Sequence, residues 1–168
     1  MIFTSGSTGR PKGVAIPHGR VAVALAWRQS AYRLDANDTV LQKTPFTFDA
    51  SGREFWWPLT VGARLVIAAP DGHRDPQYLA SAIAEHGVTS SYFVPSVLSE
   101  VLAVARDTDL ASLRQVYCSG EVFTPGLARA FRARNEHAEL SNEYGPTEFT
   151  LSITRHVLDA ADPGSVPV

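Results

Sequence analysis

The sequence predicts an α/β fold in which helices flank a layered, mainly parallel sheet. Short apolar or β-branched runs alternate with longer helical patterns along the whole chain. The run Leu65-Val66-Ile67-Ala68-Ala69 is continuously apolar, as in a strand covered on both faces. Helix punctuation recurs, most clearly where Pro76 opens a helical pattern and Gly87 closes it. There is no internal repeat and no low-complexity tract.

The elements follow in order. After a glycine- and hydroxyl-rich loop, Val14-Ala15-Ile16 reads as a short strand. Residues 18–32 read as a helix with an apolar stripe at Val21, Ala24 and Leu25. Residues 39–44 alternate as a strand, and 50–61 form a helix stopped by Gly62. Strand 64–69, helix 76–86 and the β-branched, aromatic strand 88–94 come next. Helix 96–106, strand 113–118, helix 125–134 and strand 139–144 complete the alternation, and 151–157 reads as a last strand. Ligands of open sheets collect beyond the carboxyl ends of the strands. Ser119-Gly120-Glu121 and residues 144–148 both fall there.

The chain has 168 residues, enough for a sizeable core. Its net charge of −2 argues against a nucleic-acid surface held by bulk electrostatics. The apolar runs are too short to span a bilayer, so neither nucleic acid nor membrane is an expected partner. No signal peptide is visible. The single cysteine, Cys118, excludes an internal disulfide, fits a reducing compartment and a cytoplasmic location, and reads as a small buried apolar residue.

The densest chemistry lies at the start. Residues 4–13, TSGSTGRPKG, combine three glycines, four hydroxyls and a lysine. Glycines let backbone amides approach an anion, hydroxyls add donors, and lysine adds a point charge. The spacing is not that of a Walker A loop, because Lys12 precedes its glycine. Further on, Phe48-Asp49-Ala50-Ser51 and Asn142-Glu143-Tyr144-Gly145-Pro146-Thr147-Glu148 complete a set of three. Together, in this order, the stretches resemble the phosphate, substrate and adenine motifs of the adenylate-forming superfamily. That superfamily holds adenylation domains of nonribosomal peptide synthetases, acyl-CoA synthetases and luciferases.

The resemblance covers nearly the whole chain and implies a partial AMP-binding domain over residues 1–168, from the large N-terminal part of such an enzyme. Only three residues precede the loop, and the family's later Thr-Gly-Asp motif and lysine-bearing C-terminal domain are not in the sequence, so a fragment without turnover of its own is expected. ATP and Mg²⁺ are the implied cofactors. An amino acid and a phosphopantetheinyl carrier protein or domain are the implied partners. Thr4, Ser5, Gly6, Ser7, Thr8 and Gly9 would wrap the β- and γ-phosphates, and Lys12 would neutralise charge as pyrophosphate departs. Asn142 and Tyr144 would meet adenine, with Gly120 and Glu121 on its other face and Gly145 beside it. Thr147 would contact the α-phosphate and Glu148 would hold Mg²⁺.

The implied substrate pocket comprises Asp49, Ala50, Arg53, Tyr92, Tyr117, Ser119, Glu143, Leu151 and Ser152. Asp49 has two readings. In amino-acid-activating relatives it pairs with the substrate α-ammonium; at the start of a helix it could equally be a cap. Arg53 lies four residues on, along one helix face, and Trp56 and Trp57 read as packing. Arg53 and Glu143 are expected to pair or to bridge to a polar side chain. The leading function is ATP-dependent activation of an amino acid as its adenylate. An acyl-CoA synthetase-type ligase and a non-catalytic nucleotide-binding module are the alternatives.

Overall fold

A computed structural model describes residues 1–5 and 9–158. The expected phosphate contacts of Gly6, Ser7 and Thr8 lie outside the described residues. The chain opens with an antiparallel ribbon, β1 (Ile2–Thr4) and β2 (Lys12–Val14). The strand expected at 14–16 is therefore displaced toward the loop. Antiparallel pairing with β1 sets the register of β2.

Helix α1 (His18–Tyr32) leads to β3 (Thr39–Gln42), α2 (Ser51–Thr60) and β4 (Arg64–Ile67). Then come α3 (Pro76–His86), β5 (Ser90–Phe93), α4 (Pro95–Val104), β6 (Gln115–Cys118), α5 (Pro125–Arg134), β7 (Glu139–Tyr144) and β8 (Thr154–Val157). One six-stranded sheet runs β4-β3-β5-β6-β7-β8. All its pairings are parallel except β7 with β8.

Local chemistry explains the sharpest boundaries. Asp75 accepts from the backbone N–H groups of Gln77 and Tyr78, Pro76 fills the first turn of α3, and Gly87 ends it at φ 59°. Thr124 caps α5 by accepting from the Leu127 N–H. The last strand is shorter than expected. Thr150 and Leu151 take left-handed φ values of 66° and 76°, which break the extended chain before Thr154.

Alternation along the strands sends side chains to two cores. On one face α3, α4 and α5 press Leu79, Ile83, Leu98, Val101 and Phe131 against Leu41, Phe93, Val116 and Leu140. On the other, Leu25 and Tyr32 of α1 and Trp57 of α2 cover Val40, Tyr92 and Tyr117. Cys118 is fully buried in the first core, where burial pushes its thiol well up. No helix among the described residues is long and apolar enough to cross a membrane.

Candidate active site

The direction of chain winding reverses between β3 and β5: β4 lies on one side of β3, and β6 and β7 beyond β5 on the other. Such a reversal opens a crevice at the carboxyl ends of the strands. A cavity of about 580 Å³ occupies that place. Its walls are the segment after β3 with the first turns of α2, the end of β5, and the turn after β6. Asp49, Ala50, Arg53, Tyr92, Ser119 and Leu151 line it, as do Gly120, Glu121 and Gly145.

Asp49 stands where α2 begins, but the residue at the cap position is Ala50 and no side chain caps the helix. Oδ2 of Asp49 is buried and has no hydrogen-bond partner. Burial pushes this carboxyl above the usual carboxylate range, against the pull of Arg53, the Ala50 N–H and the Thr147 hydroxyl. A carboxylate held in a cavity wall with an unpartnered oxygen is suited to a cationic donor.

Behind this wall lies a charged cluster. Oε2 of Glu143 receives Arg28 Nη2 at 2.6 Å, Arg53 Nη1 at 2.7 Å and the Ser152 hydroxyl at 2.7 Å. Oε1 accepts the Tyr32 hydroxyl. Burial alone would push the Glu143 carboxyl up; Arg28 and then Arg53 outweigh it and hold the carboxyl at about 2. The Arg28 guanidinium stands 4.9 Å from the Tyr117 ring centre and 5.1 Å from that of Tyr32. The Arg53 guanidinium lies 4.6 Å from the centre of Tyr92. Tyr92 and Ser119 hydrogen-bond each other at 3.2 Å.

A second buried pair meets the cavity through Lys43. The Lys43 ammonium sits 3.9 Å from Glu54 Oε1 and 4.5 Å from the centre of the Phe93 ring. Both Glu54 oxygens already accept from the Thr44 backbone, the Thr44 hydroxyl and the Lys43 N–H. Burial lowers the Lys43 ammonium from its ordinary range, and Glu54 opposes that shift.

On the loop side, Lys12 Nζ lies 3.1 Å from Glu148 Oε1, 136 residues away, and both side chains are largely exposed. Glu148 belongs to a short 3₁₀ turn, Thr147–Phe149. Its own backbone N–H and the Lys12 ammonium hold its carboxyl below the usual range. Thr4, whose hydroxyl donates to the Lys12 carbonyl, and Ser5 are near the surface, and Gly9 takes φ 77°. Tyr144 is half exposed. Gly120 takes φ 92°, and a side chain at Gly145 would stand 2.6 Å from the Leu151 carbonyl oxygen.

Several expected residues are placed differently. Tyr117 and Glu143 are fully buried behind Arg53 and do not border the cavity. They form a layer behind the cavity wall, in which Arg53 lines the cavity and donates to Glu143. Ser152 belongs to the Glu143 cluster and to a separate groove beside α1, not to the main cavity. Asn142 is buried and, by strand alternation, faces the Leu140 core. The Glu121 carboxylate accepts the Ser96 N–H and hydroxyl and so caps α4, leaving only its backbone to face a base. Trp57 packs as expected, its indole N–H donating to Gln29, whereas Trp56 is exposed.

Arg28, Lys43 and Glu54 were missed by sequence reading. Arg28 carries a signal: it follows Val21 and Leu25 and precedes Tyr32 at helical spacing, a charge placed on the apolar stripe. Lys43 and Glu54 carry none, since their meeting depends on how α2 returns to β3.

No group of three or more His, Cys, Asp or Glu among the described residues could hold a metal ion by itself. A lone exposed Glu148 still suits Mg²⁺, which takes one or two carboxylates and completes its shell with phosphates and water.

The family described as AMP-binding enzyme matches residues 1–167. Phosphinothricin tripeptide synthetase PhsB of Streptomyces viridochromogenes is 49% identical over 168 residues, covering 100% of this chain and 14% of that protein. Tyrocidine synthase 3 of Brevibacillus parabrevis is 45% identical over 154 residues, covering 92% and 2%. The Vibrio cholerae adenylation domain AlmE, solved in complex with glycyl-adenosine-5'-phosphate, superposes with a TM-score of 0.90 at 30% identity, covering 99% of this chain and 31% of that one. The chain thus spans a small part of the relatives it matches.

Proposed function

Because this chain belongs to the AMP-binding enzyme family, among the adenylation domains of nonribosomal peptide synthetases, we propose that it holds ATP and an amino acid for adenylate formation. The observation that carries this reading is the Asp49 carboxylate, whose buried Oδ2 has no partner in the cavity wall. An α-ammonium group supplies the missing donor and charge. A carboxylic acid without an amine would leave that oxygen buried and unpaired, which is unfavourable.

In the proposed reaction an oxygen of the amino-acid carboxylate attacks the α-phosphorus of ATP. The bond to the bridging oxygen breaks, and pyrophosphate leaves with its electron pair. A carrier thiolate then attacks the acyl carbon and AMP departs. Asp49 fixes the ammonium, so the carboxylate is aimed from a defined point. Thr147, which touches Asp49, stands between the amino-acid cavity and Glu148 along the chain. Lys12 faces Glu148 and would move onto the phosphates, stabilising charge on the departing pyrophosphate. Glu148 would hold Mg²⁺, which would supply further neutralisation of phosphate charge. Tyr144, half exposed, and the Gly120 backbone offer surfaces for adenine, with Gly145 beside them packed against the main chain of Leu151 and Ser152.

The test is ATP–pyrophosphate exchange by the full-length protein that carries this chain. Exchange should require an α-amino acid. Exchange supported equally by the corresponding deaminated acids would replace this reading with an acid–thiol ligase.

A further inference from the structure

We infer that the amino acid activated here carries a carboxylate on its side chain. The inference rests on the adenylation reading and names the substrate class of the same cavity. Its basis is an imbalance of charge and donors in the wall. Glu143 cannot receive anything from a substrate, because Oε2 already accepts three donors and Oε1 a fourth. Two guanidiniums share this one carboxylate, so the cluster keeps a net positive charge with its side chains almost wholly buried. Nε of Arg53 is buried without a partner while Arg53 borders the cavity.

Lys43 strengthens the imbalance. Its ammonium faces the same Tyr92 ring that Arg53 lies against, 5.3 Å from the ring centre. Its nearest carboxylate oxygen, on Glu54, is at 3.9 Å, beyond hydrogen-bond distance. The remaining carboxylates of the wall do not restore balance. Glu121 is engaged with Ser96, and Asp49 is the group that an α-ammonium would neutralise. Once that ammonium is bound, the Tyr92 side of the cavity holds two cations and no free anion. A side-chain carboxylate placed there meets a guanidinium and an ammonium. An aliphatic side chain would leave the Arg53 Nε and the excess positive charge of the cluster without a further partner, and a basic one would add repulsion.

The experiment measures pyrophosphate exchange by the full-length protein with aspartate, glutamate and longer 2-amino dicarboxylates, each against its side-chain amide. One acid should exceed its own amide by about tenfold or more, the effect of one charge-assisted contact. Arg53→Gln should collapse that acid-to-amide ratio, and Lys43→Gln should reduce it. The ratio is read within one variant, so it does not depend on how much of that variant folds. A preference for an amide or an aliphatic amino acid overturns the inference and leaves the adenylation reading standing. So does an acid preference that survives Arg53→Gln. Equal exchange of acid and amide assigns these cations to the α-carboxylate common to all amino acids, and also overturns it. Exchange with no amino acid removes the adenylation reading and this inference with it.

Discussion

Glu143 and Asp49 both feel burial and Arg53, yet their partners differ. Glu143 is encased: four donors reach its two oxygens, and the guanidiniums overcome the effect of burial. Asp49 borders the cavity with one buried oxygen unpartnered, and burial is the largest influence on its carboxyl. One carboxylate has its partners built in and holds the wall. The other lacks a partner the protein does not supply. Burial of a charge therefore does not distinguish structure from recognition; the count of partners does.

The largest expected effect breaks the encased member. Glu143→Gln leaves Arg28 and Arg53 facing each other without their shared anion. Breaking a buried pair in this way costs about 3–5 kcal/mol, and urea unfolding should show it. Acid should act on the same group. Its carboxyl is depressed to about 2 in the fold, below the ordinary range near 4.5. The stabilisation, on the order of 3 kcal/mol, is therefore complete above about pH 4.5 and lost as pH falls toward 2. A denaturation series across that interval checks the sign.

Asp49 should respond the other way. Asp49→Asn should raise the KM for the amino acid about ten- to hundredfold, with little change in the KM for ATP. Because the charged form is disfavoured in the fold, removing it should leave the melting temperature unchanged or higher. A clear fall in melting temperature with unaltered KM would restore the capping role. Protonation of Asp49 begins above the usual carboxylate range, so amino-acid affinity should weaken on acidification before the fold gives way. The smallest structural effect belongs to Lys12→Ala. Its exposed pair with Glu148 contributes little to stability, so the melting temperature should hold. Adenylate formation should slow roughly ten- to hundredfold if Lys12 serves the phosphates; an unchanged rate would make it a surface lysine.

The layered fold was legible where local chemistry decides it. The bounds of α1, α3, α5 and β7 follow from periodicity, prolines, caps and the Gly87 stop. Elements decided by distant partners were not. The register of β2 depends on β1 across the glycine loop, and β8 starts late because Thr150 and Leu151 turn left-handed. The site shows the same division. Asp49, Arg53, Lys12 and Glu148 sit in recognisable stretches. Arg28 reaches Glu143 across 115 residues, and nothing local announces that meeting beyond its place on an apolar helix stripe.

Gly145 limits how a pocket of this design can diversify. A β-carbon there would collide with the backbone of Leu151 and Ser152, and the Ile153 N–H closes the loop onto the Tyr144 carbonyl at 2.8 Å. The cavity wall at Leu151, proposed for the amino acid, and the tyrosine proposed for adenine thus hang from one crossing of the main chain. On that proposal, shifting the crossing to admit a larger amino acid would drag the surface proposed for the nucleotide with it. Descendants of such a domain can acquire new substrates by exchanging side chains on an inherited frame, while remodelling of the frame itself is penalised twice.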